Sequence, residues 1–117
     1  MEALCRVRDI LRSISDFEAQ FYTEKGVNLN EAMLLCSIST VGKCTSGRLA
    51  TLLGLSSSNT SKIISSAEKK GLINRFMGDE DKRHMYFELT PSGKNILESI
   101  KNNSNNILEF IEKIRLI

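Results

Sequence analysis

Residues 46–71 read Ser46-Gly47-Arg48-Leu49-Ala50-Thr51-Leu52-Leu53-Gly54-Leu55-Ser56-Ser57-Ser58-Asn59-Thr60-Ser61-Lys62-Ile63-Ile64-Ser65-Ser66-Ala67-Glu68-Lys69-Lys70-Gly71, and this order decides the fold. Gly54 and Gly71 are placed to take the left-handed conformation that closes a helix. Ser46 is a candidate cap for a short helix from about Gly47 to Leu53, with Leu49, Leu52 and Leu53 turned inward. Leu55 then packs in the turn, and Ser56 caps a helix over 57–70 whose buried stripe is Ile63, Ile64 and Ala67. A short helix, a tight turn and a second helix make a helix-turn-helix.

The other face of that second helix carries Ser57, Ser58, Asn59, Ser61, Lys62 and Ser65. These side chains are short, hydrogen-bonding or cationic, and none is acidic. A helix that enters a DNA groove needs such a face, because phosphates repel carboxylates and apolar groups would be stranded there. Its N-terminus adds free amides and a positive dipole end. Acid appears only at Glu68, where the helix would leave the groove. A solvated, serine-rich helix face is the plain alternative. Serine is a poor choice for helix stability alone, which favours a functional reason for the run.

Downstream the apolar period shortens. Leu72 to Met77 and His84 to Leu89 read as two strands, joined by the polar segment Gly78-Asp79-Glu80-Asp81-Lys82-Arg83. A hairpin after a helix-turn-helix is a wing. Lys82 and Arg83 lie at or just past its tip, and arginine on a thin loop suits the negative potential of a narrow minor groove. Asp81 is placed to orient Arg83. The competing reading pairs the loop's acids with its bases on an exposed turn.

Upstream, residues 2–22 form an amphipathic helix with Leu4, Val7, Leu11 and Ile14 at helical spacing and Gly26 as its stop. Asn30 caps a second helix, Glu31 to Thr40, with Met33, Leu34, Ile38 and Val41 as core candidates, and Cys36 is read as core too. Thr90 caps a last helix with Pro91 at its first position. There Ile100, Ile107 and Ile114 repeat every seven residues, while Leu97 and Ile111 lie fourteen apart with Ser104 midway. Asn102-Asn103-Ser104-Asn105-Asn106 is poor in helix formers, so this helix kinks or divides there.

The 117 residues suit one domain, and their composition is that of an ordinary globular protein. No stretch is apolar enough for a membrane span and the N-terminus lacks a signal-peptide run, so a cytoplasmic location is expected. One histidine, His84, and three cysteines without a CxxC pair give neither a metal constellation nor a disulfide framework, and no cofactor is expected. The net charge is only +2, yet residues 43–94 hold nine basic against five acidic side chains. That excess coincides with the helix-turn-helix and wing. No glycine-rich phosphate loop, GxSxG or HExxH occurs, and His84 has no evident nucleophile partner, so an enzyme is not expected.

In this order and spacing, 46–56, Thr60-Ser61-Lys62-Ile63-Ile64, 68–73, Asp81-Lys82-Arg83 and Leu89-Thr90-Pro91-Ser92-Gly93 resemble the MarR family of bacterial regulators, from about Asn28 to Ile100. The resemblance implies an obligate homodimer with interlocked terminal helices, a recognition helix in the major groove and a wing near the minor groove. By position it assigns base and phosphate contacts to Ser57, Ser58, Asn59, Ser61 and Lys62. It assigns phosphate contacts to Thr45 and Ser46, and the wing arginine to Arg83. It also implies a small-molecule effector, of unspecified identity, and draws attention to Cys5 as a redox sensor, although the plain reading is an ordinary, partly buried residue on the first helix. The chain departs from the family pattern in its short length, in Gly78 where an acid often begins the wing, and in Ser57 where a base is common.

The expected fold is therefore mainly α with a small β-hairpin: a winged helix-turn-helix whose flanking N- and C-terminal helices form a dimer interface. In this reading one domain spans 1–117, with dimerisation helices at 1–26 and 91–117 and a DNA-binding core at 28–90. Leu4, Val7, Leu11, Ile14, Ile107, Ile111 and Ile114 are its dimer contacts. The expected function is sequence-specific binding of double-stranded DNA as a transcriptional regulator. The alternative is a winged helix that binds protein instead of DNA.

Overall fold

A computed structural model describes residues 1–78 and 83–117. Its elements are α1 (Glu2–Lys25), α2 (Leu29–Val41), β1 (Cys44–Thr45), α3 (Ser46–Leu53), α4 (Ser57–Lys69), β2 (Ile73–Met77), β3 (Met85–Leu89), α5 (Pro91–Asn102) and α6 (Asn105–Leu116). They fall into two compact units, Asn30–Glu98 and Met1–Leu29 with Ser99–Ile117. No helix among the described residues is long and apolar enough to cross a membrane.

In the unit Asn30–Glu98, helices α2, α3 and α4 and a three-stranded antiparallel sheet of order β1-β3-β2 supply the core. Leu34, Leu35 and Ile38 of α2, Leu49 of α3, Ile64 and Ala67 of α4, and Ile73 and Phe87 of the sheet are buried. Each large side chain so buried contributes about 1.5–3 kcal/mol of transfer free energy. Three expected core positions are corrected. Met33 and Leu52 face solvent, because the buried stripes run through 31, 34, 35 and 38 on α2 and through Leu49 on α3. Cys36 is likewise exposed, one position past Leu35, on the side of α2 turned away from the core.

The caps are also refined. α2 begins at Leu29, so Asn30 lies within its first turn. α3 is capped by Thr45, whose hydroxyl accepts from the Arg48 amide at 3.2 Å, so Ser46 is the first helical residue and not the cap. Ser56 caps α4 as expected, accepting from the Asn59 amide at 3.1 Å. Gly54, with φ 67°, takes the left-handed turn between the two helices, a conformation that other residues enter at a cost.

The hairpin gains a third strand. β1 pairs with β3 in the register Cys44↔Phe87 and Thr45↔Tyr86, and β2 pairs with β3 from Ile73↔Leu89 to Met77↔Met85. A two-residue strand carries no periodicity, so it leaves no trace in the sequence pattern. It places Cys44 in the core. Burial pushes the Cys44 thiol above its ordinary pKa, with the Arg48 charge partly opposing.

Thr90 joins wing and α5. Its hydroxyl donates to the Gly71 carbonyl at 2.6 Å and accepts from the Gly93 amide at 3.1 Å. Its amide donates to the Leu72 carbonyl at 3.0 Å. Gly93 sits so close to that carbonyl that an added Cβ would run into it.

In the helical unit, α1 is longer than expected and ends at Gly26, with φ 76°. The C-terminal segment divides at Asn103-Ser104 into α5 and α6, within the asparagine-rich run. Phe17 of α1 stacks on Phe110 of α6 with ring centroids 4.2 Å apart. A cavity of about 250 Å³ opens beside the stack, with Phe21, Ile100 and Ile107 in its walls.

Candidate nucleic-acid interface

Along α4, Thr60, Ile64 and Ala67 are buried, and the opposite side is open to solvent. Ser57, Ser58, Asn59, Ser61 and Lys62, the residues expected to meet DNA, are all exposed, as are Ser65 and Lys69. Ser58, Ser61, Lys62, Ser65 and Lys69 share one shallow, open trough that also reaches Ser66. The first turn of α4 has no acidic residue, so the positive end of its dipole is not neutralised locally. This is a hydroxyl-rich, cationic strip of the kind that base edges and phosphates accept.

The flanks of α4 are held by ion pairs. On one side Glu31, fully buried on α2, accepts from the Ser66 hydroxyl at 2.6 Å and from the Lys70 ammonium at 2.7 Å. On the other, Glu68 accepts from Arg75 of β2 at 2.8 Å, with a second bond from the arginine's terminal nitrogen. That arginine hydrogen bond, and then its charge, draw the Glu68 carboxyl below its ordinary value against the opposing effect of burial. The same contact raises the Arg75 pKa.

In the sequence Glu31 marks only the start of the second helix, although it shares the three-and-four spacing of Leu34, Leu35 and Ile38 that runs along the buried face. Sequence reasoning also missed Lys43. The Lys43 ammonium lies 5.5 Å from the Tyr86 ring centroid and 5.9 Å from that of Phe76, two rings paired across β2 and β3. A cation within about 6 Å of a ring face is weakly attracted by the ring quadrupole.

The remaining site residues divide. Thr45 is half-buried on β1 with its hydroxyl engaged as a cap, and Ser46 is exposed in the first turn of α3. Arg83 is exposed in a turn just before β3, and the Gly78 amide closes the hairpin by donating to the His84 carbonyl at 3.3 Å. Asp81 and Lys82 lie outside the described residues. In the helical unit Leu4, Val7, Leu11, Ile14 and Ile111 are exposed, whereas Ile107 and Ile114 are half-buried. Among the described residues no group of His, Cys, Asp and Glu could hold a metal ion.

Residues 27–85 match the model of the MarR family. A MarR family transcriptional regulator from Silicibacter pomeroyi is 31% identical, with 90% of this chain and 68% of that one covered at a TM-score of 0.72. A MarR mutant from E. coli, solved with operator DNA, is 17% identical with a TM-score of 0.79, covering 92% of this chain and 76% of its own. Bordetella bronchiseptica BpsR, solved to explain how 6-hydroxynicotinic acid regulates its DNA binding, is 17% identical with a TM-score of 0.70, covering 99% and 83%. No curated protein matches the chain. With a family model spanning half of its length and a 31% identical relative covered over two thirds, the chain belongs to the MarR family of winged helix-turn-helix transcriptional regulators.

Proposed function

We propose that this DNA-binding transcriptional regulator meets double-stranded DNA as a homodimer, with the recognition helix, 57–70, in the major groove and the wing, 78–84, near the minor groove. The observation that carries the reading is the exposed strip on α4, rich in hydroxyls, bearing Lys62 and Lys69 and free of acid. Ser57, Ser58, Asn59, Ser61 and Lys62 read base edges and phosphates, while Thr45 and Ser46 approach phosphate. Arg83, oriented by Asp81 and assisted by Lys82, enters the minor groove, where narrow A·T-rich stretches attract arginine. The operator-bound E. coli relative supports DNA as the partner, and BpsR supports a small-molecule effector.

Dimerisation falls to the helices of 1–26 and 91–117, through Leu4, Val7, Leu11, Ile14, Ile107, Ile111 and Ile114, flanking the DNA-binding core, 28–90. Leu4 and Leu11 are about 60% exposed on one chain, apolar surface that a partner would cover. The protein acts in the cytoplasm and catalyses no reaction.

Binding titrations at several salt concentrations test the assignment. Lys62→Ala lowers the salt slope by about one phosphate contact, and Arg83→Ala weakens binding. An unchanged slope and unchanged affinity would remove both residues from the interface.

A further inference from the structure

We infer that Glu31 is a positioning residue for DNA recognition, whose buried carboxylate, through Ser66 and Lys70, fixes the rotation of α4 about its own axis. This rests on α4 being the recognition helix.

Glu31 is fully buried on α2, where an ionised carboxylate is expensive unless paired. Buried ion pairs can often be replaced by apolar side chains without loss of stability, so stability alone is a weak reason for an acid here. Orientation is a better one. The apolar stripe of α4, Ile64 and Ala67, gains free energy from burial with little directional preference. The bonds from Ser66 at 2.6 Å and Lys70 at 2.7 Å to the two oxygens of one carboxylate are directional, and they engage residues one helical turn apart.

Their placement relative to the DNA strip matters. At about 100° per residue, Ser66 and Lys70 lie along one edge of the strip formed by Ser58, Ser61, Lys62, Ser65 and Lys69. Glu68, paired with Arg75, lies along the other edge. The strip is therefore bracketed by two charge pairs, one anchored in α2 and one in β2. A helix with side chains reaches about 5–6 Å from its axis, so a 30° rotation would shift a side-chain tip by about 3 Å. That exceeds the distance range of a hydrogen bond to a base edge. Phosphate attraction is much less sensitive to such a shift.

The test compares Glu31→Gln with the wild-type chain on two duplexes. One is the sequence that the wild-type protein enriches from a random pool, and the other is a scrambled duplex of equal length. Folding is monitored by thermal unfolding. The variant is expected to lose about tenfold or more of its preference for the enriched duplex, the effect of a lost base contact. Its affinity for the scrambled duplex and its salt slope stay unchanged, because the phosphate contacts remain. Should Glu31→Gln unfold, Ser66→Ala, which removes a single hydroxyl, is expected to show the same loss of preference. A folded variant that keeps its preference within about twofold, or that loses affinity equally for both duplexes, would overturn the inference while leaving α4 as the recognition helix. A wild-type protein that binds no duplex at all would overturn both.

Discussion

Arg75 on β2 holds Glu68 on α4 through two hydrogen bonds, one from Nε at 2.8 Å, and its guanidinium lies 5.5 Å from the Phe87 ring centroid. The first wing strand is thus tied to the helix before it. The pair keeps the Glu68 carboxyl below its ordinary value of 4.5 in the folded chain. A carboxylate with a depressed folded pKa stabilises the fold above its unfolded value, and that stability is lost as pH falls through the folded value. Arg75 is half-exposed, so the pair contributes about 1 kcal/mol or less. Glu68→Gln is expected to lower stability by that amount at neutral pH and by nothing in strong acid, as read by denaturant unfolding at both pH values. An equal loss at both would show that packing, not charge, links the two residues.

Gly93→Ala is expected to destabilise the fold. In an open helix position the change would stabilise by about 1 kcal/mol. Here the added methyl meets the Leu72 carbonyl, which also accepts the Thr90 amide, so backbone must move. The cost of such overpacking, about 1–3 kcal/mol, outweighs the propensity gain. Urea denaturation measures the sign, and a more stable variant would contradict the contact.

The three cysteines are expected to react in two classes. Cys5 and Cys36 are exposed, while Cys44 is buried, and burial pushes its thiol above the ordinary pKa. The thiolate is the reactive form. A colorimetric disulfide reagent should therefore label two thiols quickly in the native protein and the third only on unfolding. Three equally fast thiols would place Cys44 outside the core.

Leu11→Glu is expected to shift the protein from dimer to monomer. Leu4, Val7 and Leu11 form an exposed apolar row on α1, and a carboxylate within a covered row would be buried unpaired. Sedimentation at micromolar concentration reads the outcome. A wild-type chain that sediments as a folded monomer would contradict dimerisation through this face.

Much of this was legible because it rests on local rules. Gly26, Gly54 and Pro91 mark helix boundaries through backbone geometry alone, and Ser56 caps α4 within its own turn. The break between α5 and α6 followed from an asparagine run. What escaped depends on distant partners. β1 is two residues long and exists because Thr45 and Cys44 pair with Tyr86 and Phe87, some forty positions away. The Ser46 cap failed by one residue because Thr45 offers an equivalent hydroxyl. Cys36 and Met33 were misplaced because α2 is apolar nearly all round, so its buried face cannot be picked from hydrophobicity. At the interface the exposed strip of α4 was visible as composition, whereas the bond from Lys70 to Glu31 spans 39 residues and leaves no local signal.

The most direct test of the central reading is selection of bound sequences from a random duplex pool at moderate salt, followed by a salt titration on the enriched sequence. The account predicts an enriched palindrome with half-sites about one helical turn apart, and affinity that falls steeply with salt. No enrichment, with binding insensitive to salt, would contradict it and favour a winged helix that recognises protein.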